Sequence, residues 1–172
     1  SANREAIQLL RQTIALVPHL TDEKEQLATE LDLQLALGQA ALALYGYAAP
    51  ETAEIFSRAE QLAQRTDKPL QYYSVLYGLW ATHVINGRIA EGGELARRFL
   101  ERACQGDEKD GYCCIGHRMA GNTHFYRGNL VAASEHLEQS LSLYDPQRHH
   151  KLSLHFGSDL SVAARIYLAW CD

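Results

Sequence analysis

The stretch "HRMAGNTHFYRGNLVAASEHLEQSLSLYDP", residues 117–146, decides how the chain folds. It reads as two helical segments on either side of Gly128, with Gly121 inside the first segment. In the second segment Leu130, Ala133, Leu137, Leu141 and Tyr144 recur at steps of three and four. That spacing puts apolar side chains on one face of a helix. Asp145-Pro146 then ends the segment, because the residue before a proline avoids the α region. A glycine between two helices takes the left-handed conformation that closes the first at little cost. Inside a helix, glycine costs about 1 kcal/mol relative to alanine. Gly121 therefore implies a neighbouring helix that comes close at the missing Cβ.

Both glycines recur along the chain. Gly46, Gly87 and Gly128 stand 41 residues apart, and Gly38, Gly78 and Gly121 form an inner series at spacings of 40 and 43. Similar stripes occupy the segments between them. Ile7, Leu10, Ile14 and Val17 precede Pro18, and Phe56, Ala59 and Ala63 follow Pro50. Ile89, Gly92, Ala96, Phe99 and Ala103 make a third stripe, with Glu94 and Arg98 placed for an i, i+4 ion pair. Asp22 and Glu25 have the spacing of a capping box. No alternating strand pattern persists. The periodicity predicts helices near 3–17, 22–46, 50–66, 69–86, 88–105, 110–127, 129–144 and 158–172. The expected fold is all-α: antiparallel helix pairs stacked as an α-solenoid, about three full repeats with flanking half-repeats, in a single domain over residues 1–172.

Composition narrows the function classes. The 172-residue chain is 47% hydrophobic and 22% charged, with a formal net charge of −5. A negative balance argues against nucleic acid or an anionic membrane as the direct partner, since both favour a basic surface. No apolar run reaches the length of a membrane span, and the expected location is the cytoplasm. Cys104, Cys113, Cys114 and Cys171 contain no C-x-x-C pair, and the reading they favour is reduced cytoplasmic thiols.

Residues 117–146 resemble a tetratricopeptide repeat: Gly121 takes its mid-helix small position, Gly128 its turn, and Ala133, Leu137 and Ser140 its second helix. Residues 74–104 and 34–63 match it less fully, and the 41-residue period leaves HEAT or armadillo stacking as the alternative. "ELDLQLALGQAALALYGYAAPE", "LYGLWATHVINGRIAEGGELA" and "LYDPQRHHKLSLHFGSDLSVAARIYLAW" are similar to the tetratricopeptide region of large bacterial signalling proteins. In those proteins a P-loop ATPase domain precedes the repeats, and an adenylate/guanylate cyclase or DNA-binding transcription-regulator domain often lies elsewhere. The resemblance spans roughly residues 20–172 and implies a regulatory or scaffolding segment; no G-x-x-x-x-G-K-[ST] occurs in the chain.

The resemblance also places a groove. First helices of such repeats line a concave surface, here Gln39, Tyr72, Thr82, His83, Arg118, Asn122 and Tyr126. The expected partner is a protein or peptide, including another domain of the same chain, with Arg118 and Asn122 holding a carboxylate or backbone. A peptide or small-ligand sensor is the alternative. No catalytic residue, cofactor or metal is expected. "YDPQRHHKLSLHFGSD", residues 144–159, reads as a connector, since adjacent His149 and His150 point apart on a helix and Ser158 or Asp159 caps the last one. Cys113 and His117 at i, i+4, with His124 two turns on and Cys104 as a fourth ligand, have a spacing that suits zinc. The plainer reading packs Cys113 and Cys114 as small apolar groups at a helix start. No G-x-S-x-G nucleophile elbow occurs. In the last helix Val162, Ile166, Leu168, Ala169 and Trp170 leave an apolar face open, which invites a homodimer.

Overall fold

Gly46, Gly87 and Gly128 adopt φ of 79°, 75° and 74°, and no other described residue has positive φ. The 41-residue series is therefore a series of left-handed turns, and each closes one helix before the next begins. The computed structural model describes residues 2–66, 68–105, 109–156 and 159–171. Their regular structure is wholly helical: α1 (Ala2–Leu16), a short 3-10 turn (Val17–His19), α2 (Glu23–Tyr45), α3 (Pro50–Ala63), α4 (Pro69–Ile85), α5 (Ile89–Ala103), α6 (Lys109–Tyr126), α7 (Leu130–Leu143), α8 (Pro146–Phe156) and α9 (Leu160–Cys171). No helix among the described residues is long and apolar enough to cross a membrane.

The chain divides into two compact units, Ser1–Asn86 and Gly87–Asp172. In the first, α1 packs on α2, α2 on α3, and α4 on both α3 and α2. In the second, α5 packs on α6, α6 on α7, and α9 on both α7 and α6, while α8 touches α6. The order α1–α2–α3–α4 is thus answered by α5–α6–α7–α9, with α8 inserted.

The inner glycines have the partners their cost implies. Phe56, 1% exposed, lies against both Gly38 and Gly78. A Cβ on Gly38 would stand 2.9 Å from the ring tip, and one on Gly78 would overlap the ring edge. In the second unit Leu137, fully buried, takes this role against Gly121, where a Cβ would meet it at 2.7 Å. Burying a large apolar side chain contributes roughly 1.5–3 kcal/mol, which offsets the helical glycines opposite it.

Three expectations need correction, and a fourth gains a partner. Residues 146–156 are a helix, not a connector. Pro146 stops the preceding helix but is also pre-organised for the first turn of the next, where Asp145 Oδ1 accepts from the Gln147 N–H at 2.8 Å. Glu94 pairs with Arg97 at 2.6 Å, the i+3 partner, and the Arg98 charge also favours its carboxylate. Leu130, assigned to the buried stripe of α7, is 41% exposed, and the buried positions are Ala133, Leu137 and Ser140. The capping box reduces to one half: Asp22 Oδ1 accepts from the Lys24 N–H at 3.0 Å. Asp159 does cap the last helix, accepting from the Ser161 and Val162 N–H groups at 2.9 and 3.2 Å. Gly157 and Ser158 lie outside the described residues.

Candidate functional site

Helix α6 carries most of the polar chemistry of the second unit. Cys113, Cys114, Arg118 and Asn122 are buried along it, with His117 and His124 half-buried and Tyr126 47% exposed at its end. Of the seven residues expected in a groove, Gln39 lies exposed on α2, while Tyr72 and His83 are half-buried on α4. Thr82 is fully buried, its hydroxyl donating to the Leu79 carbonyl at 2.8 Å. Arg118 and Asn122, one turn apart, are 3% and 4% exposed, and the Asn122 Oδ1 accepts no hydrogen bond. Three of the seven are therefore interior groups of their own units, where the repeat resemblance had placed them on a concave surface.

Tyr126 belongs to an aromatic cluster instead. Its hydroxyl lies 2.5 Å from that of Tyr167 on α9. Phe125 stands edge-on to Tyr167 at 5.3 Å, and Trp170 packs on Tyr167 at 5.3 Å. α9 docks through Leu160 and Ala164, which are 1% and 0% exposed. On its other side Val162, Ile166 and Trp170, at steps of four, are 54%, 45% and 61% exposed. Of the five residues expected on an open apolar face, these three and Ala169 are exposed, while Leu168 is half-buried.

A second cluster lies at the α5–α6 junction. Cys104 caps α5, Cys113 sits in the first turns of α6, and the two are joined as a disulfide across a Cα separation of 5.1 Å. The expected set of four reduced thiols is therefore incorrect. Helix α6 runs back along α5, and this brings the two Cα atoms within bridging distance. A ring nitrogen of His117 and both sulfurs lie within 4.8 Å of one another. His136, on α7, places its Nδ1 3.0 Å from the Nδ1 of His117, and His124 stacks on His136 with ring centroids 5.5 Å apart. His124 and His136 also line a cavity of about 270 Å³ with residues of α5.

Burial lowers the pKa of His117 first, and the neighbouring His136 lowers it further. Burial again leads for His136, with His124 adding to it and Glu135 opposing. A shared N–H between the two Nδ1 atoms fits two neutral rings, one donating its Nδ1–H and the other accepting with its lone pair. Cys114 has a different role. The Ser140 hydroxyl donates to the Cys114 carbonyl at 2.8 Å, so the thiol, 3.4 Å from the same oxygen, is the donor in that contact. Burial pushes its pKa up, against Ser140 and Arg118. On native alkylation of the oxidised protein, Cys171 is expected to react well before Cys114, because a buried, protonated thiol waits on local opening. Mass mapping of the labelled peptides checks the order, and early labelling of Cys114 would contradict it.

The spacing of Cys104, Cys113, His117 and His124 is noted in the sequence and set aside for apolar packing, and His136, 19 positions from His117 on another helix, is missed. No family model, curated protein or solved structure matches the chain.

Proposed function

We propose that the chain is a non-catalytic interaction module, a tetratricopeptide-like regulatory segment of a larger cytoplasmic signalling or transcription-regulating protein, and that it engages its partner through α9. The observation that carries this reading is the exposed stripe of Val162, Ile166 and Trp170. α9 occupies the same place in its unit as α4 does in the other. α4 is buried at nine described positions and α9 at two. Three apolar side chains at steps of four fit the stripe of another amphipathic helix, and the α9 of a second copy is such a helix.

The test compares the wild-type chain with Ile166→Asp/Trp170→Ser. Trp80 is 5% exposed, so long-wavelength tryptophan emission reports Trp170. The wild type is expected to self-associate with rising concentration in sedimentation velocity, and the emission should shift to the blue. The double variant should keep its helical circular dichroism and remain monomeric. A wild type that stays monomeric with unshifted emission would refute self-association through α9.

A further inference from the structure

We propose that Cys104, Cys113, His117 and His136 bind a zinc ion when the Cys104–Cys113 bond is open, so that disulfide and metal are alternative states of one site. A ring nitrogen of His117 and both sulfurs lie within 4.8 Å of one another; His136 stands outside that group, 3.0 Å from His117, and its ring must swing toward the sulfurs to complete the set. Tetrahedral zinc with bonds near 2.0–2.1 Å to nitrogen needs its two nitrogens about 3.3 Å apart. The Nδ1–Nδ1 separation is within a few tenths of an ångström of that value. Bonds of 2.3 Å to sulfur set the two sulfurs about 3.8 Å apart, so they must separate by rotation of the cysteine side chains once the disulfide is reduced. Two thiolates and two imidazoles are the donor set of a closed structural zinc site, and soft sulfur ligands disfavour magnesium and calcium. His124, stacked on His136 with the ring planes 9° apart, holds that ring in place and is not a ligand.

The exchange balances. A dithiol reductant passes two hydrogens to the Cys104–Cys113 bond and leaves as its own disulfide. The two thiols release two protons as Zn²⁺ forms two Zn–S bonds. In the other direction hydrogen peroxide takes two electrons from the thiolates and, with two protons, becomes two waters. The sulfur–sulfur bond re-forms and Zn²⁺ is expelled. Either state fastens the end of α5 to the start of α6, and the metal state also ties in α7 through His136. This makes the α5–α6–α7 junction responsive to both oxidant and zinc supply.

Cobalt reads the site directly. The chain is reduced with a dithiol, freed of it without oxygen and titrated with Co²⁺. The account expects one equivalent to give the intense ligand-field bands of tetrahedral cobalt with thiolate charge transfer, which Zn²⁺ then displaces. The oxidised chain should give no such bands. Cys113→Ser should abolish them. His136→Gln and His117→Gln should each weaken affinity by at least the ~10–100-fold that loss of an outer-shell partner costs. His124→Gln should keep the tetrahedral spectrum. Zinc should also protect two thiols of the reduced chain from alkylation. If Cys113→Ser unfolds, the two histidine variants carry the test. Absence of tetrahedral bands in the reduced, folded chain overturns the proposal, as do bands indifferent to both histidine substitutions.

Discussion

Phe56→Ala is expected to destabilise the first unit by about 3–5 kcal/mol. The ring is 1% exposed and fills the space left by two helical glycines on two different helices. Removing it deletes the apolar transfer term and leaves a cavity that Gly38 and Gly78, lacking side chains, cannot close. Against a typical domain stability of 5–15 kcal/mol this is a large fraction. In a domain of this size each kcal/mol moves the midpoint by roughly 4–8 °C, so thermal unfolding should fall by about 15 °C or more. Hydrogen exchange should rise first in α2, α3 and α4. A partner substitution isolates the cause. Gly78→Ala gains about 1 kcal/mol of helix propensity but drives its Cβ into the ring, which costs about 1–3 kcal/mol. Combined with Phe56→Leu, its penalty should shrink, a coupling expected only of residues in contact. A Phe56→Ala midpoint within a few degrees of wild type would mean that the ring is not the plug between these helices.

Leu137→Ala is expected to cost about 2–5 kcal/mol in the second unit. Leu137 is fully buried against Gly121, and this pair corresponds to Phe56 against Gly38. The lower end of the range applies if α6 and α7 settle toward each other across the shortened side chain. The upper end applies if the disulfide and the buried Cys114–Ser140 contact hold them apart. Chemical denaturation with and without a dithiol reductant separates these cases. Closing a loop of about ten residues contributes roughly 2.5–3 kcal/mol in the chain-entropy account, so reduction should add a further loss. A loss under 1 kcal/mol for Leu137→Ala would place the core of this unit elsewhere.

The turns and the helix faces could be read from the sequence because few residues suit them. Positive φ at Gly46, Gly87 and Gly128 selects glycine, and selection at a fixed interval shows as a period. Phe56, Ala59 and Ala63 are buried as their spacing indicates. The inner glycines announced that something approached them, but not what: Phe56 is 18 residues from Gly38 and 22 from Gly78, and only the packed fold brings the three together. The candidate site was less legible. Arg118, Asn122 and Thr82 are residue types found mostly at surfaces, yet all three are buried. The cysteine pairing depends on a 5.1 Å approach between two helices, which no spacing rule supplies. Asp145-Pro146 can end one helix or begin the next, and here it does both, so α8 was missed. The exposed stripe of α9 was legible, because Val162, Ile166 and Trp170 recur at steps of four in the residues themselves.

The claim that α9 is the working face is tested most directly by hydrogen–deuterium exchange of the intact chain across a range of protein concentrations. The account predicts that the amides of residues 160–171 gain protection as concentration rises, together with those at the end of α6 around Tyr126, while α1, α3 and α5 do not change. Protection that stays flat over residues 160–171, or that grows elsewhere instead, would contradict it.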